Sequence, residues 1–109
     1  MGSSDLAEPK GYWIVRVDVA DEEAYGRYLA ANGEAFAAFG ARFLVRGGPF
    51  DAVEGTARAR NVVIEFPTLQ AARDCHASDA YARARAEREG AAEADILIIA
   101  GYEGPQPTG

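Results

Sequence analysis

Tyr12-Trp13-Ile14-Val15-Arg16-Val17-Asp18-Val19 is the stretch from which the fold is read. It alternates: Trp13, Val15, Val17 and Val19 form one apolar set, and Tyr12, Ile14, Arg16 and Asp18 form the other. Period two with β-branched residues is the pattern of a strand. Asp21 then reads as a helix N-cap, with Glu22 and Glu23 in the first turn, where the helix dipole favours negative charge. Tyr25, Tyr28, Leu29, Phe36 and Phe39 follow at helical spacing, and Gly40 ends the helix as its C′ residue. Gly33, inside this helix, costs about 1 kcal/mol against alanine.

Residues 42–46 predict a second strand, broken by Gly47-Gly48-Pro49, and residues 50–54 are expected to resume in extended form before Gly55. Residues 61–66 predict a third strand, with Val62, Ile64 and Phe66 on one parity and Pro67 as its end. Thr68 caps a short helix carrying Leu69, Ala72 and Cys75; Ser78 caps another, with Tyr81, Ala84, Arg85 and Arg88 on one side and Gly90 as its stop. Residues 95–102 form the last strand. The order β-α-β-β-α-β specifies an α+β fold, a ferredoxin-like sandwich with an antiparallel sheet, both helical crossovers on one face. The folded domain is expected over residues 11–103, after a disordered leader at residues 1–10 and before a flexible tail at residues 104–109.

Composition narrows the function. The 109 residues carry 17 acidic against 11 basic side chains, a net charge of −6, so no basic stripe is available to displace counterions from a nucleic acid. One Cys cannot form an internal disulfide, and one Cys with one His cannot make a zinc site within one chain. No apolar run is long enough to span a bilayer, and the N-terminus lacks a signal-peptide pattern, so the expected location is cytoplasmic. No cofactor motif is present; Gly47-Gly48 lacks the surroundings of a phosphate loop.

The faces carry the candidate site. With Trp13, Val15, Val17, Val62, Ile64 and Phe66 under the helices, Phe43 and Val45 are the matching pair in the second strand. The other face then collects Ile14, Arg16, Leu44, Arg46, Val63 and Glu65. The last strand is apolar on both parities, Ile96 and Ile98 against Leu97 and Ile99, as for a strand covered on both sides. A homodimer closing two such faces would bury the patch and leave an inter-sheet space suited to a small molecule. Arg16 and Arg46 would bind an anionic or polar group, with Glu65 as proton acceptor. Asn32, on the apolar stripe of the first helix, needs a partner. His76 is the candidate general base, and Tyr81 and Arg88, seven apart, would close the pocket mouth. Plain structural roles stand beside each: an Arg16–Glu65 cross-strand pair, a snorkelling Arg46, a capping His76, a core Tyr81 and a solvated Arg88. Cys75 reads as a small buried apolar residue.

An ordered set of segments carries a resemblance. Lys10-Gly11-Tyr12-Trp13, Gly40-Ala41-Arg42-Phe43-Leu44-Val45-Arg46-Gly47-Gly48, Glu54-Gly55, Val63-Ile64-Glu65-Phe66-Pro67 and Ser78-x-x-Tyr81 followed by Arg88 together resemble the domain-of-unknown-function 1330 family over nearly all of residues 11–102. The resemblance implies a ferredoxin-like chain that forms a dimeric α+β barrel. Similar barrels include metal-free monooxygenases acting on quinol-like substrates, muconolactone isomerases and haem-degrading oxygenases. Trp13, on the helix-facing parity, departs from the Trp, Asn and His set of the haem-degrading type. The expected function is small-molecule binding with proton transfer or cofactor-free oxygen chemistry on a polar or aromatic compound, without metal. The alternative is a non-catalytic structural or stress-linked dimer with a filled interface.

Overall fold

The protein is described by a computed structural model over residues 8–108. The alternating stretch forms β1 (Gly11–Val19), and Asp21 caps α1 (Glu22–Ala38) by accepting from the amides of Glu23 and Ala24, both at 3.1 Å. β2 (Arg42–Arg46) and β3 (Arg60–Phe66) follow, then α2 (Leu69–Ala77), α3 (Asp79–Glu87) and β4 (Ala92–Ala100). The sheet runs β2-β3-β1-β4 with every neighbouring pair antiparallel, which is the expected ferredoxin-like order. Thr68 and Ser78 cap α2 and α3 through their hydroxyls, as read from the sequence.

Trp13 organises the core. It is fully buried, its indole N–H donates to the Ala72 carbonyl at 2.9 Å, and Phe36 and Tyr81 meet it edge-on at ring separations of 5.3 and 5.0 Å. Edge-to-face pairs of this kind add to plain area burial. Val15, Val17, Val62, Ile64 and Phe66 lie on the same buried face, as their parity requires.

β2 departs from simple alternation. Phe43 pairs with Ile64, but Val45 pairs with Val63 and Arg46 with Val62, because the register shifts between Phe43 and Val45. A bulge inserts one residue, here Leu44, and reverses the parity beyond it. Val45 therefore belongs to the open face and Arg46 to the helix side, the reverse of the assignment that strict alternation gives. Residues 50–54 form no strand; residues 47–59 are one long connection without helix or strand. β4 starts at Ala92 and ends at Ala100, three residues earlier and two residues earlier than its pattern suggested. Alanine has weak strand preference, so Ala92 and Ala94 masked its start.

Arg58 fixes the return of the long connection. Its guanidinium meets Asp18 and Asp95 at 2.8 Å each and Glu93 at 3.5 Å, and the Ala59 amide donates to Asp18 at 2.9 Å. These carboxylates belong to the open face at the far ends of β1 and β4. The same face exposes Leu97 and Ile99, each about half accessible. At the chain ends, the Pro9 carbonyl accepts from Leu69 and the Lys10 carbonyl from Gly101. The leader expected at residues 1–10 falls for its first seven positions outside the described residues.

Candidate functional site

α1 presents Tyr25, Tyr28, Asn32 and Phe36 as one buried stripe, each three or four residues from the next. Beneath this stripe lies a cavity of about 20 Å³, room for one water molecule. Its floor is Trp13, Val15, Val62 and Ile64; Asn32 and Tyr28 face it from α1, and Arg46 and Arg60 reach it from the ends of β2 and β3. A larger hollow of about 290 Å³ adjoins it, bounded by Val17, Val19, Glu22 and Ala59, and the two share Tyr25, Leu29 and Arg60.

The polar groups here are mostly donors. Asn32 is only 4 % exposed and is the one buried polar side chain among the described residues; its amide lies beside the Tyr28 hydroxyl. Arg46, exposed at the rim, stacks its guanidinium 4.1 Å over the Phe43 ring. Arg60 is half-buried, 5.9 Å from the centre of the Tyr25 ring, and its Nε is buried with no hydrogen-bond partner. Among the described residues, no carboxylate forms an ion pair with either arginine, whereas Arg27 and Arg42 have one each and Arg58 has three. Burial pushes the Tyr28 hydroxyl well above the usual phenol range, so it stays protonated. No carboxylate or imidazole lines the inner cavity among the described residues. The arrangement can stabilise negative charge on a bound molecule; it offers no general base of its own.

Behind Tyr28 stands a second group. The Tyr28 and Tyr81 hydroxyls are 2.9 Å apart, and Arg88 donates to Tyr81 at 3.3 Å while covering the Tyr28 ring at 5.0 Å. His76 packs against Trp13 and Tyr81 with ring separations of 5.5 and 5.3 Å. Burial, helped by Arg85 and Arg88, holds its imidazole below the usual range. Trp13 and Tyr81 stand between His76 and the cavity, and His76 is not among the lining residues.

The remaining sequence candidates sit across the sheet. Glu65 accepts from the Tyr12 hydroxyl at 2.9 Å and lies 4.0 Å from Arg42. That hydrogen bond raises the Tyr12 hydroxyl above its usual range. Arg16 is exposed, opposite Asn61 and Asp95, and the cross-strand Arg16–Glu65 pair is not formed. So Asn32 and Arg46 meet at the cavity, Tyr81, Arg88 and His76 lie behind it, and Arg16 and Glu65 occupy the opposite face. Arg46 and Glu65 do not share an inter-sheet space within one chain, because the β2 bulge separates them.

Three cavity residues were not singled out from the sequence: Tyr25, Tyr28 and Arg60. The tyrosines were legible as helix core, which they also are. Arg60 has the parity of Val62, Ile64 and Phe66, and beginning the strand one residue earlier would have revealed it.

A single-layer helix cover over a four-stranded antiparallel sheet, with a donor-lined cavity beneath its first helix, defines a small α+β sandwich of ferredoxin-like topology. The chain belongs to the family described as Domain of unknown function (DUF1330), whose model matches residues 10–102. No curated protein matches the sequence significantly. The fold is similar to that of RPA0582, a protein of unknown function from Rhodopseudomonas palustris, at 17 % identity and a TM-score of 0.71, covering 89 % of this chain and 85 % of that one. It is also similar to SnoaB, a cofactor-independent oxygenase from Streptomyces nogalater, at 10 % identity and a TM-score of 0.58, covering 88 % and 96 %. A third similar structure is a conserved protein of unknown function from Bacteroides thetaiotaomicron, a possible oxidoreductase, at 16 % identity and a TM-score of 0.51, covering 87 % and 100 %. At these identities the likeness is one of fold. Among the described residues, no helix is long and apolar enough to cross a membrane.

Proposed function

We propose that the protein binds a small polar or aromatic molecule in the hollow that adjoins the cavity beneath α1, with one end reaching the cavity, and works as a homodimer. One observation carries the reading: Asn32, buried on the apolar stripe of α1, faces the cavity where a leucine would pack. A buried amide is costly unless it has a partner, and residues that sacrifice packing in this way are typical of sites kept for binding. The exposed Leu97 and Ile99 support a second copy on the open sheet face, with cytoplasmic residence as the corresponding setting.

Turnover, where it follows, fits cofactor-free oxygen chemistry or proton transfer on a compound that ionises readily. The donors Asn32, Arg46 and Arg60 would hold the resulting anion, and oxygen would react with the substrate itself. The fold likeness to a cofactor-independent oxygenase supports this reading by analogy only. Glu65, His76, Arg16, Tyr81 and Arg88 then act outside the first contact with the ligand, unless a second copy brings the open-face groups to it. The small inner volume favours the second reading, a filled non-catalytic dimer, if nothing enters from the adjoining hollow.

Native mass spectrometry of the protein and of Asn32→Leu separates the two. A bound small mass is expected on the protein and lost from the variant, whose melting temperature stays equal or rises. Unliganded protein in both cases, with the variant less stable, would overturn the binding reading. Sedimentation at micromolar concentration checks the dimer; a stable monomer would remove it.

A further inference from the structure

We infer that the site takes the carboxylate end of a small, largely apolar organic acid, with Arg60 as the inner cationic partner and Arg46 at the rim. This rests on the reading of the cavity as a ligand site. Both arginines lie on the helix side of the sheet, opposite Val17 and Val62 in the register. That is an apolar surface, where Arg60 has only the Tyr25 hydroxyl and Arg46 the Phe43 ring, and neither has an anionic partner.

The chain has acids to spare. It carries 17 of them, and Arg58 alone gathers three within 3.5 Å. Yet Arg60 and Arg46 have no carboxylate partner among the described residues, and Arg60 keeps a buried Nε with nothing to donate to. A carboxylate from outside the chain supplies the missing acceptor, and the planar guanidinium fork matches it in shape.

Two further features point the same way. Gly47 has a φ of +70°, and a Cβ built there would lie 2.6 Å from Nη1 of Arg60. The absent side chain leaves the guanidinium room to sit and to turn. The 290 Å³ hollow leads to Arg60 between Val17, Val19 and Leu29, with Glu22 at its boundary. Val17, Val19 and Leu29 give the hollow one apolar side for the body of the acid, and Glu22 on its polar side repels an acid group, so the carboxylate points inward to Arg60. A phosphate would share the charge, but its second negative charge would meet Glu22 across the hollow.

The test is an NMR titration of ¹⁵N-labelled protein with benzoate, trans-cinnamate and 1-naphthoate, their primary amides, and phenyl phosphate. The indole N–H of Trp13, the only tryptophan, and the Asn32 side-chain amide report the cavity. At least one acid is expected to shift both signals and to bind at least tenfold tighter than its amide. Arg60→Met should cost that acid at least tenfold and leave the amide unchanged, with Arg60→Lys between. Equal binding of acid and amide, indifference to Arg60→Met in a folded variant, or tighter binding of phenyl phosphate than of every acid would overturn the carboxylate assignment. The first two results leave the cavity standing as a ligand site. Absence of any shift with every compound would remove both readings together.

Discussion

The hydroxyl of Tyr28 on α1 and that of Tyr81 on α3 form a hydrogen bond of 2.9 Å inside the core, and Arg88 completes it from the helix exit at 3.3 Å. Each hydroxyl is buried, and the bond links the Asn32 side of the core to the Arg88 side. Tyr81→Phe removes this bond, leaves the Tyr28 hydroxyl with Asn32 alone and should destabilise the protein by about 0.5–1.5 kcal/mol. The double variant Tyr28→Phe, Tyr81→Phe should cost less than the two single losses added, since both singles lose the same bond. Urea denaturation of the three variants measures this; simple additivity would show that the pair is not coupled.

The Arg58 cluster predicts a pH dependence. The Ala59 amide and then Arg58 hold the Asp18 carboxyl below its ordinary value of 3.8. A depressed folded value means that Asp18 contributes stability above 3.8, and that this contribution is lost as pH falls through the folded value. Hydrogen exchange at the Ala59 amide should accelerate over that acid range, after correction for intrinsic rates. Asp18→Asn should remove most of the dependence.

Cys75 should be inert in the native state. Burial pushes its thiol up to about 12, and its sulfur lies 3.8 Å from the Ala35 carbonyl. A thiol in this state carries almost no thiolate at neutral pH. An aromatic disulfide reagent at pH 8 should label it only at the rate of unfolding, and completely in denaturant. Rapid labelling of folded protein would contradict the packing of α2 against α1.

Gly26 and Gly33 lie in the interior of α1, exposed, with no heavy atom within 4 Å of a built Cβ. Alanine at either position should stabilise the protein by about 0.5–1 kcal/mol through helix propensity alone. Thermal melts of the single variants and the pair check this. A loss on either substitution would indicate that α1 meets something there beyond a single chain.

The sequence carried the fold further than the site, and particular residues show why. Asp21, Thr68 and Ser78 announce three helix starts through local hydrogen bonds that need no tertiary context. Trp13, Val15 and Val17 announce their face by alternation alone. Arg46 could not be placed this way, because the bulge at Leu44 is a property of the β2–β3 pairing and leaves no mark in β2 itself. The isolation of Arg60 from carboxylates is likewise a fact of three-dimensional spacing. Asn32 was visible as an anomaly on an apolar stripe, but what it faces required the sheet beneath it.

The extra residue in β2 also gives the sheet an electrical polarity. With Arg46 turned to the side of Arg60, the open face is left with Asp18, Glu65, Glu93 and Asp95 among its charges, largely engaged by Arg58 and Arg42. The sheet thus acts as a partition within an acidic protein: the helix side holds Arg46 and Arg60 without a carboxylate partner, whereas the exposed Arg16 of the open face lies among four carboxylates. An anion diffusing toward the molecule is repelled by its net charge and drawn to the edge where β2 and β3 meet α1. Its capture there should slow as salt is added, although the net charge of the protein alone would predict the opposite.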